Sequence, residues 1–192
     1  GVALTVLPAT DLFLMGRGHE HSAPRGVTPV HRLVARGANA SLATNNVLNP
    51  FTPFGDCSLI RMANLYANVA QIGRPADMEL CLSLVTERPA RLMNLADYGI
   101  AVGNPADIVL LDCDNAASAV AEVVQPLLVF KNGRVTVSRP APTLHRPAQV
   151  DQAGVVDAAH LRQRRGSVAV AGGCHGRWEI GHRAIVHKHH RA

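Results

Sequence analysis

His19 and His21, in His19-Glu20-His21, are the first side chains along this chain with the type and spacing of metal ligands. Residues two apart on a strand point to one side, and two imidazoles so placed could share a zinc ion. The segment follows Gly16-Arg17-Gly18 in a polar stretch, so a solvated loop is the competing reading, and its surroundings favour it. A second set lies far along the chain, where His187-Lys188-His189-His190 follows Arg162-Gln163-Arg164-Arg165. Clustered histidines take up transition metals and arginine runs bind phosphate, but without a fixed scaffold such runs are simply solvated. Cys57, Cys81, Cys113 and Cys174 stand far apart with no CxxC pair. They read as free thiols in a reducing compartment, which points to a cytoplasmic setting.

The elements that would position such groups follow from periodicity. Residues 1 to 7 read as a strand running into Pro8, and a polar loop is expected from Thr10 to Pro24. Thr28-Pro29 has the form of a helix start, with Val30, Leu33 and Val34 as the apolar face and Gly37 as the stop. A short strand is expected over 38 to 44, then a loop over 45 to 55. Asp56 is the expected cap of a helix whose apolar positions Leu59, Ile60, Met62, Ala63, Val69 and Ala70 keep the 3.6 period up to Gly73. Helices are expected over 76 to 85 and 86 to 95, the latter with Pro89 in its first turn. Met62, Met78 and Met93 read as core filler. Beyond them, 107 to 112 reads as a buried strand, and Asn132-Gly133 between two apolar runs is a two-residue hairpin signal.

Of 192 residues, 47% are hydrophobic and 17% charged, too apolar and too weakly charged for a disordered chain. No run approaches the roughly 18 apolar residues of a membrane span, and the first residues lack the basic start and small-residue cleavage site of a signal peptide. The net charge of +5 is uneven: residues 1 to 138 hold ten basic against eleven acidic side chains, whereas 139 to 192 hold nine against three, with seven of the ten histidines. The basicity therefore belongs to an extension, opened by Pro140, Pro142 and Pro147, that is expected to be poorly ordered. Within it Val168-Ala169-Val170-Ala171 is too short to form a core of its own.

Several separated motifs carry a resemblance to a family. Leu7-Pro8-Ala9-Thr10-Asp11-Leu12-Phe13, Asn45-Asn46-Val47-Leu48-Asn49-Pro50-Phe51, Ala90-Arg91-Leu92-Met93-Asn94-Leu95 and Tyr98-Gly99-Ile100-Ala101-Val102-Gly103-Asn104-Pro105-Ala106-Asp107 resemble, in order and spacing, the C-terminal part of cytosine deaminase-like members of the amidohydrolase superfamily. The resemblance covers about residues 1 to 138. It implies an α/β fold: the C-terminal part of a (β/α)8 TIM-like barrel followed by strands of a small β-sandwich. Residues 1 to 97 would supply the last two barrel strands and closing helices, 98 to 138 the sandwich strands, and 139 to 192 the basic extension. A complete barrel takes roughly 250 residues, so the barrel here is incomplete, and an isolated piece of it should be sticky or unstable.

The same resemblance implies a mononuclear zinc or iron and a metal-activated water that attacks a C-N bond of a pyrimidine- or triazine-like ring. Of the family's ligand positions only the aspartate ending strand eight falls in this chain, and Asn45 stands there. Its neutral amide cannot accept a proton as an aspartate does, so the usual proton transfer is in question; as a plain loop residue, Asn45 would tolerate unusual backbone geometry. The resemblance places Phe51 against a flat heterocycle, with loop packing on Phe54 as the alternative. Asn46 would bond a ring substituent or fasten its own loop. The expected partner is a small heterocyclic substrate, with a homo-oligomer possible and neither membrane nor nucleic acid required. The rival reading is a catalytically inactive remnant or interaction module with a basic tail.

Overall fold

The computed structural model describes residues 2–24, 26–140 and 168–171. The first strand, β1 (Leu4–Val6), runs into α1 (Pro8–Leu14); after a long connection α2 (Val30–Val34) leads to β2 (Ala40–Leu42). β1 and β2 pair in parallel, Leu4 opposite Ala40 and Val6 opposite Leu42, as strands joined by a helical crossover can. Three helices follow, α3 (Leu59–Val69), α4 (Pro75–Ser83) and α5 (Glu87–Leu92), and then β3 (Ile108–Leu111), α6 (Ala116–Ala121), β4 (Pro126–Lys131), β5 (Arg134–Ser138) and β6 (Val168–Ala171). The last four strands form an antiparallel sheet in the order β5-β4-β3-β6.

The main core lies between the parallel pair and the helices: Val6, Ala40 and Leu42 meet Val30 and Val34 of α2, Ala63, Tyr66 and Ala67 of α3, and Cys81, Leu82, Leu84 and Val85 around the end of α4. A smaller cluster of Leu111, Cys113 and Ala119 sits under the antiparallel sheet, and Ile60 packs against both. On the other face of the parallel pair Thr5 and Ser41 join hydroxyls at 2.8 Å. The two edges of this pair differ. The Leu42 N–H donates to the Leu84 carbonyl at 2.9 Å, so β2 is sealed by the chain leaving α4, whereas among the described residues β1 has β2 as its only strand neighbour.

Several elements depart from expectation, each for a local reason. The stretch expected as loop from Thr10 begins inside α1, because Pro8 opens a helix at its first position and Asp11 favours the first turn. Pro29 precedes α2 as its cap, one residue later than expected. Ser58, not Asp56, caps α3: its hydroxyl accepts from the Arg61 N–H, while Asp56 accepts from the Ser58 N–H at 2.9 Å and pairs with the Arg61 guanidinium at 2.9 Å. Gly73 does not end α3; Gln71 takes the left-handed turn at φ 54°, so that the Ile72 N–H reaches the Ala67 carbonyl and Ile72 packs on the core. Met93 is 59% exposed rather than core, whereas Met62 is buried and Met78 packs partly against the core.

The hairpin is as expected, with φ 49° at Asn132 and 74° at Gly133, the left-handed pair that a type I′ turn requires. Asp107, 5% exposed, anchors it from the start of β3 by accepting from the Asn132 N–H at 2.7 Å and from the Lys131 ammonium. Helix α6 was not anticipated. It ends with Val123 in the left-handed region at φ 51° and the Val124 N–H on the Ala119 carbonyl. Strand β6 lies inside the extension expected to lack order and pairs along the whole of β3, Ile108 opposite Ala171 and Leu111 opposite Val168. His187, His189 and His190, Arg162, Arg164 and Arg165, and Cys174 fall outside the described residues. No helix among the described residues is long and apolar enough to cross a membrane.

Candidate active site

Beyond the carboxyl ends of β1 and β2 the chain turns outward twice, into α1 and into the loop from Thr44 to Ser58. The second turn is sharp. The Asn46 N–H donates to the Thr44 carbonyl at 2.6 Å, and Asn45 between them takes φ 52°, a conformation asparagine tolerates better than most residues. Asn49 then closes an Asx-type turn over Pro50: its side-chain oxygen accepts from the N–H groups of Phe51 and Thr52 at 3.0 and 3.1 Å.

Four side chains bind this loop to α1. The Asn49 amide nitrogen donates to Asn46 Oδ1 at 3.0 Å, Asn46 Nδ2 donates to Thr10 Oγ1 at 3.2 Å, and Thr10 shares a 3.0 Å hydroxyl contact with Thr52. Thr10 and Thr52 are buried, at 8% and 1% exposure. Because the segments after β1 and after β2 are joined by this chain of bonds, the geometry at both strand ends is set together. Asn46 therefore spends one end of its amide on Asn49 of the loop and the other on Thr10 of α1.

Beside this network lies a cleft of about 450 Å³ between α1 and α3. Its walls include Leu12, Phe13, Phe54, Met62 and Leu65, with Thr44, Asn46, Asp56, Arg61, Asn64 and Asn68 as polar groups. Phe54 meets Phe13 edge-on at 5.9 Å between ring centroids, and the Arg17 guanidinium stands 5.0 Å over Phe13. Arg61 Nε is buried without a partner, although its terminal nitrogen holds Asp56.

The residues singled out from the sequence distribute unevenly around this cleft. Asn46 lines it, while Asn45 is exposed and Phe51 is 57% exposed in the same loop. Thr10, Asn49 and Thr52 had no individual signal apart from the turn-forming Asn49-Pro50. His19, Glu20 and His21 are exposed in a turn, and no group of three metal-ligating side chains exists among the described residues. The described residues thus do not by themselves fit zinc or iron.

Groups with shifted pKa values lie outside the cleft lining, among them Tyr66 and Cys81 of the core and the part-buried His31. His31 donates its N–H to the Tyr66 hydroxyl at 3.1 Å, and its Nδ1 lies 2.6 Å from the same oxygen. Burial lowers the His31 pKa, helped by Arg32 and opposed by Asp77, and burial raises that of Tyr66. Burial also pushes the Cys81 thiol up to about 12, so it is an inert core thiol rather than a nucleophile.

Comparison with known proteins gives this geometry a setting. The profile of the amidohydrolase family matches residues 1–137. The chain is 30% identical over 138 residues to a pterin deaminase of Rhizobium rhizogenes strain K84, covering 70% of this chain and 31% of that protein. It is 30% identical over 110 residues to an N-isopropylammelide isopropyl amidohydrolase of Pseudomonas sp. strain ADP, covering 57% of this chain and 27% of the relative. Among solved structures, 5-methylcytosine deaminase from Klebsiella pneumoniae, liganded with 5-fluorocytosine, superposes with a TM-score of 0.72 at 29% identity, covering 78% of this chain and 36% of that one. The chain spans about a third of the length of these relatives.

Proposed function

The chain belongs to the amidohydrolase family, and from that premise we propose that it forms the closing part of a hydrolytic deaminase acting on an amino-substituted heterocycle of the pyrimidine, pterin or triazine kind. In this reading β1 and β2 are the last two strands of a (β/α)8 barrel, and β3 to β5 belong to its accompanying β-sandwich. In the reaction a water oxygen bonds to the ring carbon, the exocyclic C-N bond breaks, and the amine leaves with a proton as ammonia. The observation that carries the reading is the unbroken family match over residues 1–137, with deaminases on both the sequence and the structure side.

This chain's contribution is positional. The Thr10-Asn46-Asn49-Thr52 bonds fix the two strand ends where a barrel enzyme keeps its site. Asn45, at the end of β2, presents a neutral amide that donates and accepts hydrogen bonds but does not carry the reaction's proton near neutral pH. Phe51 offers an exposed aromatic face to a planar ring. Any zinc or iron of the whole enzyme would take its ligands from outside the described residues.

The test is a hybrid in which residues 1–138 replace the matching third of the Klebsiella pneumoniae 5-methylcytosine deaminase. The hybrid is expected to retain metal and to release ammonia slowly from an aminated heterocycle. Asn45→Asp should then raise kcat about a hundredfold, the scale of a restored general base. A folded, metal-loaded hybrid that releases no ammonia from pyrimidine, pterin or triazine amines, with either residue at 45, would assign the chain to the non-catalytic reading.

A further inference from the structure

The hydrogen bonds around Phe51 have a forced direction. The backbone N–H groups of Phe51 and Thr52 can only donate, and both reach one terminal atom of the Asn49 side chain, at 3.0 and 3.1 Å, so that atom is the oxygen. The Asn49 nitrogen is then the end that faces Asn46, which must answer with Oδ1 and turn its own nitrogen to Thr10 Oγ1. On the far side the Thr52 hydroxyl lies 2.7 Å from the Phe51 carbonyl, which only accepts, so its single proton is spent there. Thr52 therefore accepts in its 3.0 Å contact with Thr10, and Thr10 gives the proton. Asn49, Asn46, Thr10 and Thr52 thus donate in one sense around a ring that begins at the Phe51 N–H and ends at the Phe51 carbonyl.

We propose that Thr10 is a positioning residue that, through this ring, holds Phe51 in the pose in which its aromatic face meets a planar heterocyclic substrate. Thr10 is the ring member that α1 supplies; the others belong to the loop after β2. The two hydroxyls are buried, at 8% exposure for Thr10 and 1% for Thr52, whereas Phe51 between Pro50 and Thr52 is 57% exposed. A backbone held from both sides beneath an exposed aromatic ring does not serve core packing; it presents the ring. Pro50 stiffens the frame further by fixing its own φ. Thr10 uses its oxygen as acceptor and its proton as donor, so an apolar residue of the same shape breaks the ring at two bonds at once. An aromatic face fixed before the substrate arrives avoids the cost of ordering it on binding, so the role belongs to holding the substrate rather than to moving its proton. The proposal rests on the deaminase reading for the substrate, while the ring is a property of this chain alone.

The experiment has two arms. In the full 192-residue chain, Thr10→Val should speed hydrogen exchange at the Phe51 and Thr52 amides about tenfold and leave Ala63 and Tyr66 of α3 unchanged, the mark of a local opening; Thr10→Ser, which keeps the hydroxyl, should exchange as the parent does. Thr52→Val breaks the same ring one bond further on and gives the same readout at Phe51 should Thr10→Val not fold. In the hybrid with the Klebsiella pneumoniae 5-methylcytosine deaminase, assayed with 5-fluorocytosine, Thr10→Val should raise KM about fivefold and Phe51→Ala about tenfold, with kcat little changed. On the Phe51→Ala background Thr10→Val should add nothing, because the two act through one contact. Unaltered exchange at Phe51, a fall in kcat at constant KM, or an equal rise in KM with and without the Phe51 ring would each overturn the proposal. A hybrid that shows this pattern in its Kd for 5-fluorocytosine yet releases no ammonia upholds the positioning role and counts against the deaminase reading alone; one that neither binds nor reacts overturns both.

Discussion

At the scale of single residues, the hydrogen bonds show which polar groups support the fold and which are left for other work. Asn46 is tied at both ends of its amide, whereas Asn45 one position earlier is exposed at φ 52°. His31 and Tyr66 form a part-buried pair in which the phenol oxygen accepts from the His31 backbone N–H and shares a hydrogen bond with the imidazole Nδ1. Because the His31 pKa is lowered in the folded protein, the unfolded chain takes up the proton first as pH falls. The stabilising contribution is therefore complete above about pH 6.5 and is lost below it, down through the folded pKa. The thermal midpoint should drop between about pH 7 and about pH 5, and His31→Asn, which keeps an acceptor near Nδ1 but does not titrate, should drop less. An identical slope in both proteins would remove His31 from this role.

At the scale of elements, helix ends reveal where sequence and structure disagree. Val123 holds a left-handed conformation that a β-branched side chain adopts only under constraint, here imposed by Val124 packing against the smaller core. Val123→Gly should therefore stabilise the protein by about 1 kcal/mol, seen as a raised thermal midpoint; a lowered midpoint would show that the Val123 side chain contributes more than its backbone costs. The legible elements were those with a strong local pattern. The apolar run of β3, though only Leu111 of its four residues is buried, the Asn132-Gly133 turn and the amphipathic α3 were readable because each signal lies within a few residues. Helix α6 escaped because Ala116-Ala117-Ser118-Ala119 offers almost no apolar contrast, and α1 because its seven residues make fewer than two turns. The site was less legible still. Asn45, Asn46 and Phe51 drew notice through family resemblance, but Asn46 meets a partner 36 residues away in Thr10, a contact that no local pattern encodes.

At the scale of the whole molecule, the antiparallel sheet is completed from beyond the family match. The match ends at residue 137, yet β6 at Val168–Ala171 covers the length of β3. A chain ending at Pro140 would leave the edge of Ile108–Leu111 bare and should self-associate more than the full chain does, measured by sedimentation at equal concentration. Equal monomer fractions would show that β6 does not protect that edge. The bond between Leu42 and Leu84 has a different reach. With β2 already engaged and β1 open among the described residues, strand addition to the parallel pair has a single growing end, as in a polymer whose other terminus is blocked. Two such chains meeting through their open ends would make a closed pair with no site left for a third. The parallel sheet is thereby barred from fibre growth, and the bond that bars it is a backbone bond that of all substitutions at residue 42 only proline would delete.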